Sequence, residues 1–175
     1  MSQQGISIGD RAPDFALPDT DGETRRLSSG PAVIYWTCNH CPYALAWHDR
    51  LLDVARDYEG RAEFLAVNSN DADRYPADSP RAMRERVEAE GGWPHPYLYD
   101  ESQEVARAYD AKTTPDCFLI DAEGRIVYRG APDADYQDPS LNAVWLRGAI
   151  DAVLAGAVPE PAETKPVGCS IKWKQ

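Results

Sequence analysis

The sequence predicts an α/β fold in which a central β-sheet is covered by helices. From residue 31 onward, short runs rich in β-branched and aromatic residues alternate with amphipathic segments at helical spacing. This alternation is typical of a sheet flanked by helices. The chain has 175 residues, a usual length for one domain with its own hydrophobic core.

Five segments have the composition of β-strands. They are AVIYWT at 32–37, AEFLAVN at 62–68, PYLYD at 96–100, DCFLID at 116–121 and RIVYRG at 125–130. The last two are joined by the short stretch AEGR, which is typical of a tight turn. These two strands are therefore predicted to form a β-hairpin.

Four segments have helical spacing of apolar residues. They are CPYALAWHDRLLDVARDYEG at 41–60, SPRAMRERVEAEGG at 79–92, ESQEVARAYD at 101–110 and LNAVWLRGAIDAVLAG at 141–156. The first is predicted to begin at a pair of cysteines, and the second has Ser79 as its cap and Pro80 in its first turn. The last is predicted to bury a face that includes Val144, Ile150 and Leu154.

The C-terminal region divides into two parts, so we predict one domain over residues 1–157 and an extension over 158–175. VPEPAETKP at 158–166 is rich in Pro, Glu and Ala, which predicts an extended linker. Beyond it every second residue is apolar, a pattern that directs these side chains to one side. They are Val167, Cys169, Ile171 and Trp173. We therefore expect the tail to dock against the domain.

Composition and charge restrict the classes of function. The net charge of -11 argues against binding to nucleic-acid phosphates. No run approaches the roughly 20 apolar residues that span a bilayer, so no membrane partner is expected. The N-terminus lacks the features of a signal peptide, and four cysteines are too few for a disulfide scaffold, which together predict a cytoplasmic protein. The sequence has no glycine-rich phosphate loop, so no organic cofactor is predicted.

The stretch WTCNHCPY at 36–43 carries the strongest chemical signal. Its C-x-x-C pair is typical of a metal clip, a structural crosslink or a redox couple. At the start of a helix, Cys38 and Cys41 share one face, and the free N–H groups there lower the pKa of a thiol. We therefore predict that Cys38 attacks as the thiolate and that Cys41, being less accessible, resolves the mixed disulfide. His40, if cationic, lowers the pKa of Cys38 further, although it could also be a solvated first-turn residue.

The motif and its context resemble the thioredoxin-like superfamily. The cysteines follow a strand and precede a helix, and KTTPDCFLIDAEGRIVYRG at 112–130 matches the segment around the cis-proline of that fold. The resemblance implies a central mixed sheet flanked by helices, a cis bond at Thr114-Pro115 opposite the cysteines, and a Thr114 backbone that pairs with a substrate strand. The implied catalytic residues are Cys38, Cys41, His40, Thr114 and Pro115.

The two ends of the chain resemble particular groups within this superfamily. GDRAPDFALPDTDGETRRLSS at 9–29 is similar to the N-terminal hairpin of the redoxin group, which includes AhpC/TSA-related peroxiredoxins. VGCSIKWK at 167–174 resembles the tail of bacterial thioredoxin-family proteins of unassigned role. The implied activity is thiol–disulfide exchange with thiol- or disulfide-bearing protein substrates and a thiol electron donor.

The sequence also departs from these families. Thr37 replaces the tryptophan that thioredoxins carry before the first cysteine, and Ala32 replaces their buried acid. Peroxiredoxins need a proline and a threonine ahead of the peroxidatic cysteine, but alignment on Cys41 puts Ile34 and Cys38 at those positions. A thiol-dependent peroxidase is therefore the weaker prediction.

The remaining cysteines and histidines leave further alternatives. Cys117, in an apolar strand, is predicted to be a packing residue. Cys169 is either a packing residue or a third thiol that traps or relays the Cys38–Cys41 disulfide. A copper or metal carrier on the same fold would need a distant histidine, and His48 and His95, the candidates, are predicted to be surface residues, so no metal site is predicted. Tyr43, Trp36 and Trp93 either line the approach to the cysteines or belong to the core.

Overall fold

The computed structural model describes residues 5–175, and its centre is a mixed sheet of five strands. The nine strands are β1 (Leu17–Pro18), β2 (Thr24–Arg25), β3 (Ala32–Trp36), β4 (Glu63–Asn68), β5 (Tyr97–Tyr99), β6 (Thr113–Thr114), β7 (Asp116–Ile120), β8 (Ile126–Gly130) and β9 (Cys169–Ser170). The central order is β5-β4-β3-β7-β8, with β3, β4 and β5 parallel and with β7 and β8 antiparallel to their neighbours. All five predicted strands are present, and β7–β8 is the predicted hairpin.

Four helices flank the sheet, as the sequence predicts. They are α1 (Pro42–Asp57), α2 (Pro80–Ala89), α3 (Glu104–Ala108) and α4 (Val144–Leu154), with short 3-10 turns at Pro76–Asp78 and Pro139–Leu141. Strands β1 and β2 form the predicted N-terminal hairpin. The Ser79 hydroxyl accepts a hydrogen bond of 3.1 Å from the Ala82 N–H and caps α2 as expected. None of the helices in residues 5–175 combines the length and apolar composition needed to cross a bilayer.

The sheet separates two apolar cores, because alternate residues of a strand point to opposite faces. Val33 and Tyr35 point to one side, where they pack with Trp47 of α1 and Ile150 of α4. The other core contains Ile34 and Trp36 from β3 together with α3 and the N-terminal segment. The strand that leads to the cysteines is therefore buried on both faces, which fixes the position at which the motif begins.

Three helices begin later than the sequence predicts, and one of them is α3, which starts at Glu104 and not at residue 101. Helix α1 starts at Pro42, so Cys41 is its N-cap, with extended φ and ψ of -75° and 126°. Proline favours the first helical position, which explains this start. Helix α4 follows Asn142 and Ala143, which both have φ of 54° and interrupt the helical spacing. Its buried face is therefore formed by Leu146, Ala149 and Ile150, while the predicted core residues Val144 and Leu154 are exposed.

The C-terminal linker packs more closely than its composition indicates. The Arg129 N–H donates to the carbonyl of Ala162, and the Thr164 N–H donates back to Arg129, at 3.2 and 3.0 Å. The Thr164 hydroxyl also accepts from the Ala131 N–H at 2.9 Å. Backbone and hydroxyl bonds, which do not require an apolar sequence, thus hold this segment along β8.

Candidate functional site

The cysteine pair lies in the short connection between β3 and α1. The Cys41 N–H donates to Cys38 Sγ over 3.3 Å, so the chain turns back on itself between the two residues. Cys41 Sγ lies 3.3 Å from the carbonyl oxygen of Thr114, and Cys38 Sγ lies 3.6 Å from the Thr114 hydroxyl. The Thr114–Pro115 bond is cis. With His40, whose ring nitrogen lies within 4.8 Å of Cys38 Sγ, the structure therefore brings together all five residues that the sequence selects for catalysis.

Both motif thiols are buried. Cys38 is 1% exposed and Cys41 is 0% exposed, and both carry free thiols. The sequence predicts that Cys38 is open to solvent, and this expectation is wrong for the reduced chain described here. Tertiary packing buries the two thiols. Cys38, Cys41 and Ala44 form a small cluster, and Tyr43 and Cys169 pack against this cluster.

The interaction between the two motif thiols shifts their pKa values in opposite directions. The Cys38 side chain lowers the pKa of Cys41 to about 4, and the Cys169 and Thr114 side chains contribute to this effect. The same interaction raises the pKa of Cys38, as do burial and the negative charge of Asp78. The two thiols thus shift each other's pKa in opposite directions, while Cys38 Sγ accepts from the Cys41 N–H and the Cys41 thiol donates to the Thr114 carbonyl oxygen. That Cys38 attacks first stays a prediction. As the N-cap of α1, Cys41 is the motif residue next to the free N–H groups of the helix.

His40 sits beside a buried carboxylate. Its Nδ1 lies 2.7 Å from Oδ2 of Asp78, and its ring stacks on Tyr75 with centroids 5.5 Å apart. His40 is thus a partly buried, paired side chain, not a freely solvated one. Since Asp78 is close enough to raise the pKa of Cys38, the predicted tuning by His40 acts against an opposing charge.

Asp78 is a site residue that sequence reasoning missed. It is 0% exposed and accepts hydrogen bonds from the Asn39 N–H at 2.7 Å and from the Asn68 and Asn70 side chains at 3.0 and 3.1 Å. Three hydrogen-bond donors and the nearby His40 ring nitrogen converge on this one carboxylate. The available signal was the polar run NSND at 68–71 directly after a buried strand, a position where binding residues are common.

Arg86 is a second residue that the sequence did not indicate. It extends from α2 and donates to the carbonyl oxygen of Cys38 at 3.2 Å and to Oδ1 of Asn39 at 2.9 Å. The Tyr97 hydroxyl donates to the same amide oxygen at 2.8 Å. These bonds hold the Cys38–Asn39 backbone and the Asn39 side chain in place.

One group of side chains has the chemistry of a metal site. Among residues 5–175, Cys38, His40 and Asp78 alone place three candidate ligand atoms within 4.8 Å of one another. Thiolate, imidazole and carboxylate together suit a borderline ion such as zinc. The distant histidines do not join this group.

His48 and His95 are buried, which corrects the prediction that they lie on the surface. His48 Nε2 lies 2.7 Å from Oε1 of Glu90, and His95 Nε2 lies 3.0 Å from the Tyr35 hydroxyl. Burial lowers the pKa of both imidazoles, that of His95 to about 4. Each histidine has a structural partner that accounts for its position.

The three candidate aromatic residues have different locations. Trp36 is fully buried and donates from Nε1 to Ser69 at 2.9 Å, so it belongs to the core. Trp93 stacks on Tyr97, with centroids 4.4 Å apart. Tyr43 packs against the cysteine cluster and is the only one of the three in contact with it.

The C-terminal tail occupies the position expected for a substrate strand. Strand β9 pairs antiparallel with β6, and Cys169 lies opposite Thr114. In the described chain, Thr114 therefore pairs with this protein's own tail, whereas the resemblance to thioredoxins predicts that it receives a substrate. Cys169 is half-buried and packs against the cysteine cluster.

Comparisons with known proteins agree with this geometry. The sequence model of the AhpC/TSA family matches residues 8–129. ResA of Geobacillus kaustophilus, a thiol-disulfide oxidoreductase, is 28% identical over 127 residues, which cover 69% of this chain and 67% of ResA.

Two solved structures match nearly the whole chain. An uncharacterized conserved protein from Geobacillus kaustophilus has a TM-score of 0.89 and 41% identity, with 99% of this chain and 98% of that protein covered. A hypothetical protein from Sinorhizobium meliloti has a TM-score of 0.91 and 37% identity, with 98% and 97% covered. The family match extends over more than half of the sequence and includes both motif cysteines and the cis-proline. We conclude that this chain, with its thioredoxin-like fold, belongs to the AhpC/TSA family.

Proposed function

We propose that this chain is a thiol–disulfide oxidoreductase in which Cys38 and Cys41 exchange a dithiol for a disulfide with protein or small-thiol substrates. The observation that carries the proposal is the contact between the two thiols beside the cis Thr114–Pro115 bond, with the pKa of Cys41 lowered to about 4. A thiolate at neutral pH with a second thiol in reach is the requirement for disulfide exchange. The ResA relatives support the same class of reaction.

The reaction has two steps. A thiolate of the pair attacks a substrate disulfide, so that a mixed disulfide forms and one substrate thiolate leaves. The second thiol of the pair then attacks the mixed disulfide, which forms Cys38–Cys41 and releases the second substrate thiol. Because both thiols are buried, substrate access requires that the covering residues move. An external thiol donor reduces the pair again.

The test measures insulin disulfide reduction with dithiothreitol as the donor. Cys38→Ser and Cys41→Ser are each expected to lower the rate by about 100-fold or more, since either change removes the Cys38–Cys41 disulfide with which the exchange ends. Cys117→Ala is the matched control, because Cys117 is also buried but lies in the sheet. Equal rates in the wild type and in both motif variants would contradict the proposal.

The same variants report which thiol attacks first. A variant that keeps only the attacking cysteine accumulates a mixed disulfide with substrate, because no second thiol of the pair resolves it. Because Cys169 packs against the cysteine cluster, both variants also carry Cys169→Ser, so that no third thiol resolves the mixed disulfide. Trapping of substrate on Cys38 in Cys41→Ser/Cys169→Ser assigns the first attack to Cys38, and trapping on Cys41 in Cys38→Ser/Cys169→Ser assigns it to Cys41.

A peroxidase is the second candidate, because the matching family is the AhpC/TSA family. In that case one cysteine would reduce peroxide and form a sulfenic acid. Peroxide consumption that survives in Cys41→Ser while insulin reduction is lost would favour this candidate.

A metal carrier is the third candidate, and the group Cys38, His40 and Asp78 favours it. Binding of zinc or copper(I) is measured on the reduced protein, with Asp78→Asn as the variant that removes one ligand charge. Tight binding without insulin reduction would favour the carrier.

For the site of action we propose a reducing cytoplasm, on the basis of the low cysteine content. In such a compartment, the resting protein holds its thiols reduced. Alkylation of cells at low pH, followed by mass measurement of the protein, tests this. Recovery mainly as the disulfide would contradict it.

A further inference from the structure

The C-terminal tail is attached by specific bonds along its whole length. The Lys172 N–H donates to Oδ1 of Asn70 at 2.8 Å, and its carbonyl accepts from the Asp71 N–H at 2.8 Å and from the Gln103 side chain at 3.0 Å. Ile171 is 2% exposed and joins the core that also contains Trp36. The residues after Cys169 thus hold its backbone in one place.

Gly168 brings the tail against the cis-proline segment. A Cβ at this position would lie 2.8 Å from the carbonyl carbon of Thr114 and 3.2 Å from the nitrogen of Pro115, and closer still to the Thr114 oxygen. Only glycine permits this approach without displacement. The approach sets Cys169, the next residue, opposite Thr114.

Three thiols therefore come together at this site. Cys38 and Cys41 belong to one buried cluster, and Cys169 packs against it. Interaction with the Cys38 and Cys169 side chains lowers the pKa of Cys41. Cys38 and Cys41 are buried, whereas Cys169 is half-exposed. Of the three thiols, Cys169 is the one that an external molecule reaches first.

We propose that Cys169 is a third redox-active thiol that takes the place of a substrate cysteine and forms a disulfide with Cys41. This inference rests on the proposed dithiol–disulfide exchange. The Cys169 sulfur attacks the Cys41 sulfur of the Cys38–Cys41 disulfide, the new Cys41–Cys169 bond forms, and the old bond breaks. Cys38 leaves as a thiolate and takes up the proton that Cys169 lost, so no external oxidant or reductant is consumed. The product carries its disulfide at the half-exposed edge, where a donor thiol attacks the Cys169 sulfur.

Charge makes this step more favourable in the oxidised than in the reduced chain. In the reduced chain, burial and then the nearby Cys41 thiolate raise the pKa of Cys169 to about 11, while Lys172 opposes the rise. Once Cys41 is in a disulfide it carries no charge, so this contribution is removed. Cys169 is therefore ionised more easily when there is a disulfide for it to attack.

The experiment maps disulfides in the full-length protein. The reduced chain is treated with one equivalent of oxidised glutathione and quenched in acid, free thiols are alkylated, and linked peptides are identified by mass spectrometry. We expect a Cys41–Cys169 peptide in the wild type next to Cys38–Cys41. In Cys38→Ser, the Cys41–Cys169 disulfide becomes the main product.

The control variant has the same number of thiols as Cys38→Ser, but its tail thiol points away from Cys41. In Cys38→Ser/Cys169→Ser/Ser170→Cys, the thiol moves to the exposed neighbour, which points to the other side of the strand. Since a disulfide requires its Cα atoms within about 7 Å and facing Cβ atoms, we expect at least about 10-fold less linkage to Cys41 than in Cys38→Ser.

The outcomes separate this inference from the proposed function. Formation of Cys38–Cys41 in the wild type with Cys169 fully alkylated, together with no Cys41–Cys169 product in Cys38→Ser, overturns the inference and leaves the exchange reaction intact. Failure of Cys41 to form a disulfide with Cys38, Cys169 or glutathione overturns both. Equal linkage in the control variant would also overturn the inference, because it would reflect nonspecific collision.

Discussion

Cys117 and Cys169, the two cysteines outside the C-x-x-C motif, lie in contrasting regions. Cys117 is at the centre of the sheet, on β7, between Tyr35 of β3 and Gly130 of β8. It is 0% exposed, and burial raises its pKa well above the usual value. Cys169 is on the two-stranded edge formed by β6 and β9, half-exposed and against Cys41.

The contrast shows that burial alone does not determine what a thiol does. Cys117 has apolar neighbours and no thiol within its cluster, so it behaves as a small core residue. The motif cysteines are equally buried, yet they lie in one cluster against which the half-buried Cys169 packs. The chemistry of a thiol at this site therefore depends on the other thiols beside it.

The largest expected difference concerns alkylation of the reduced protein. At pH 8 with iodoacetamide, we expect Cys117 to react at least about 1000-fold more slowly than in the denatured chain, since its exposure requires opening of the central sheet at a cost of about 5 kcal/mol or more. Peptide mapping over time measures the rate at each cysteine. Labelling of Cys117 in the native protein as fast as that of Cys169 would remove the distinction between the two regions.

A smaller change is expected when the tail is displaced. Gly168→Ala places a Cβ against the Thr114 carbonyl, so Cys169 should move away from Cys41 and lose the surroundings that raise its pKa from 9.0 to about 11. At pH 8 its thiolate fraction, and so its alkylation rate, then rises by about 100-fold.

Gly148→Ala is the control for this substitution. Gly148 lies in α4, and an added Cβ meets nothing within 4 Å. We expect no change in Cys169 reactivity. If Cys169 in the unaltered protein already reacts as fast as in a denatured chain, the tail is not docked in solution.

Local sequence patterns were sufficient to predict the strands of the central sheet. The runs around Val33, Leu65 and Phe118 predicted strands within one or two residues of their observed ends, because strand burial on both faces requires continuous apolar sequence. The N-cap of α2 was predicted for the same local reason, since Ser79 bonds to a residue three positions away.

The start of α1 was also readable from the sequence but was missed. Pro42 favours the first helical position, which makes Cys41 the N-cap and excludes Cys38 from the helix. The expectation that the helix N-terminus lowers the pKa of Cys38 depended on a helix that included Cys38. The observed start places Cys41 next to the free N–H groups instead.

The rest of the site depends on contacts between distant residues. Asp78 meets His40 across 38 positions, and Cys169 meets Thr114 across 55 positions. Alternation in the tail indicated an inward face, but it could not indicate that this face meets the cysteines. Likewise, the composition of 158–166 did not reveal Thr164, whose bonds involve its backbone and a single hydroxyl.

The smallest expected effect distinguishes the neighbours of Cys41 in the reduced protein. Thiolate absorbance at 240 nm, measured as a function of pH, should lose its Cys41 contribution near pH 4. Cys169→Ala removes one donor to the Cys41 thiolate and should move this midpoint upward, while Cys38→Ala removes the strongest donor and should move it further. A typical hydrogen bond contributes about 0.5–1.5 kcal/mol and the S–H group is a weak donor, so the Cys169→Ala change corresponds to about a tenfold weaker acid at most. Cys117→Ala should not move the midpoint, and a shift there as large as in Cys169→Ala would mean that the tail thiol has no closer relation to Cys41 than the core thiol has.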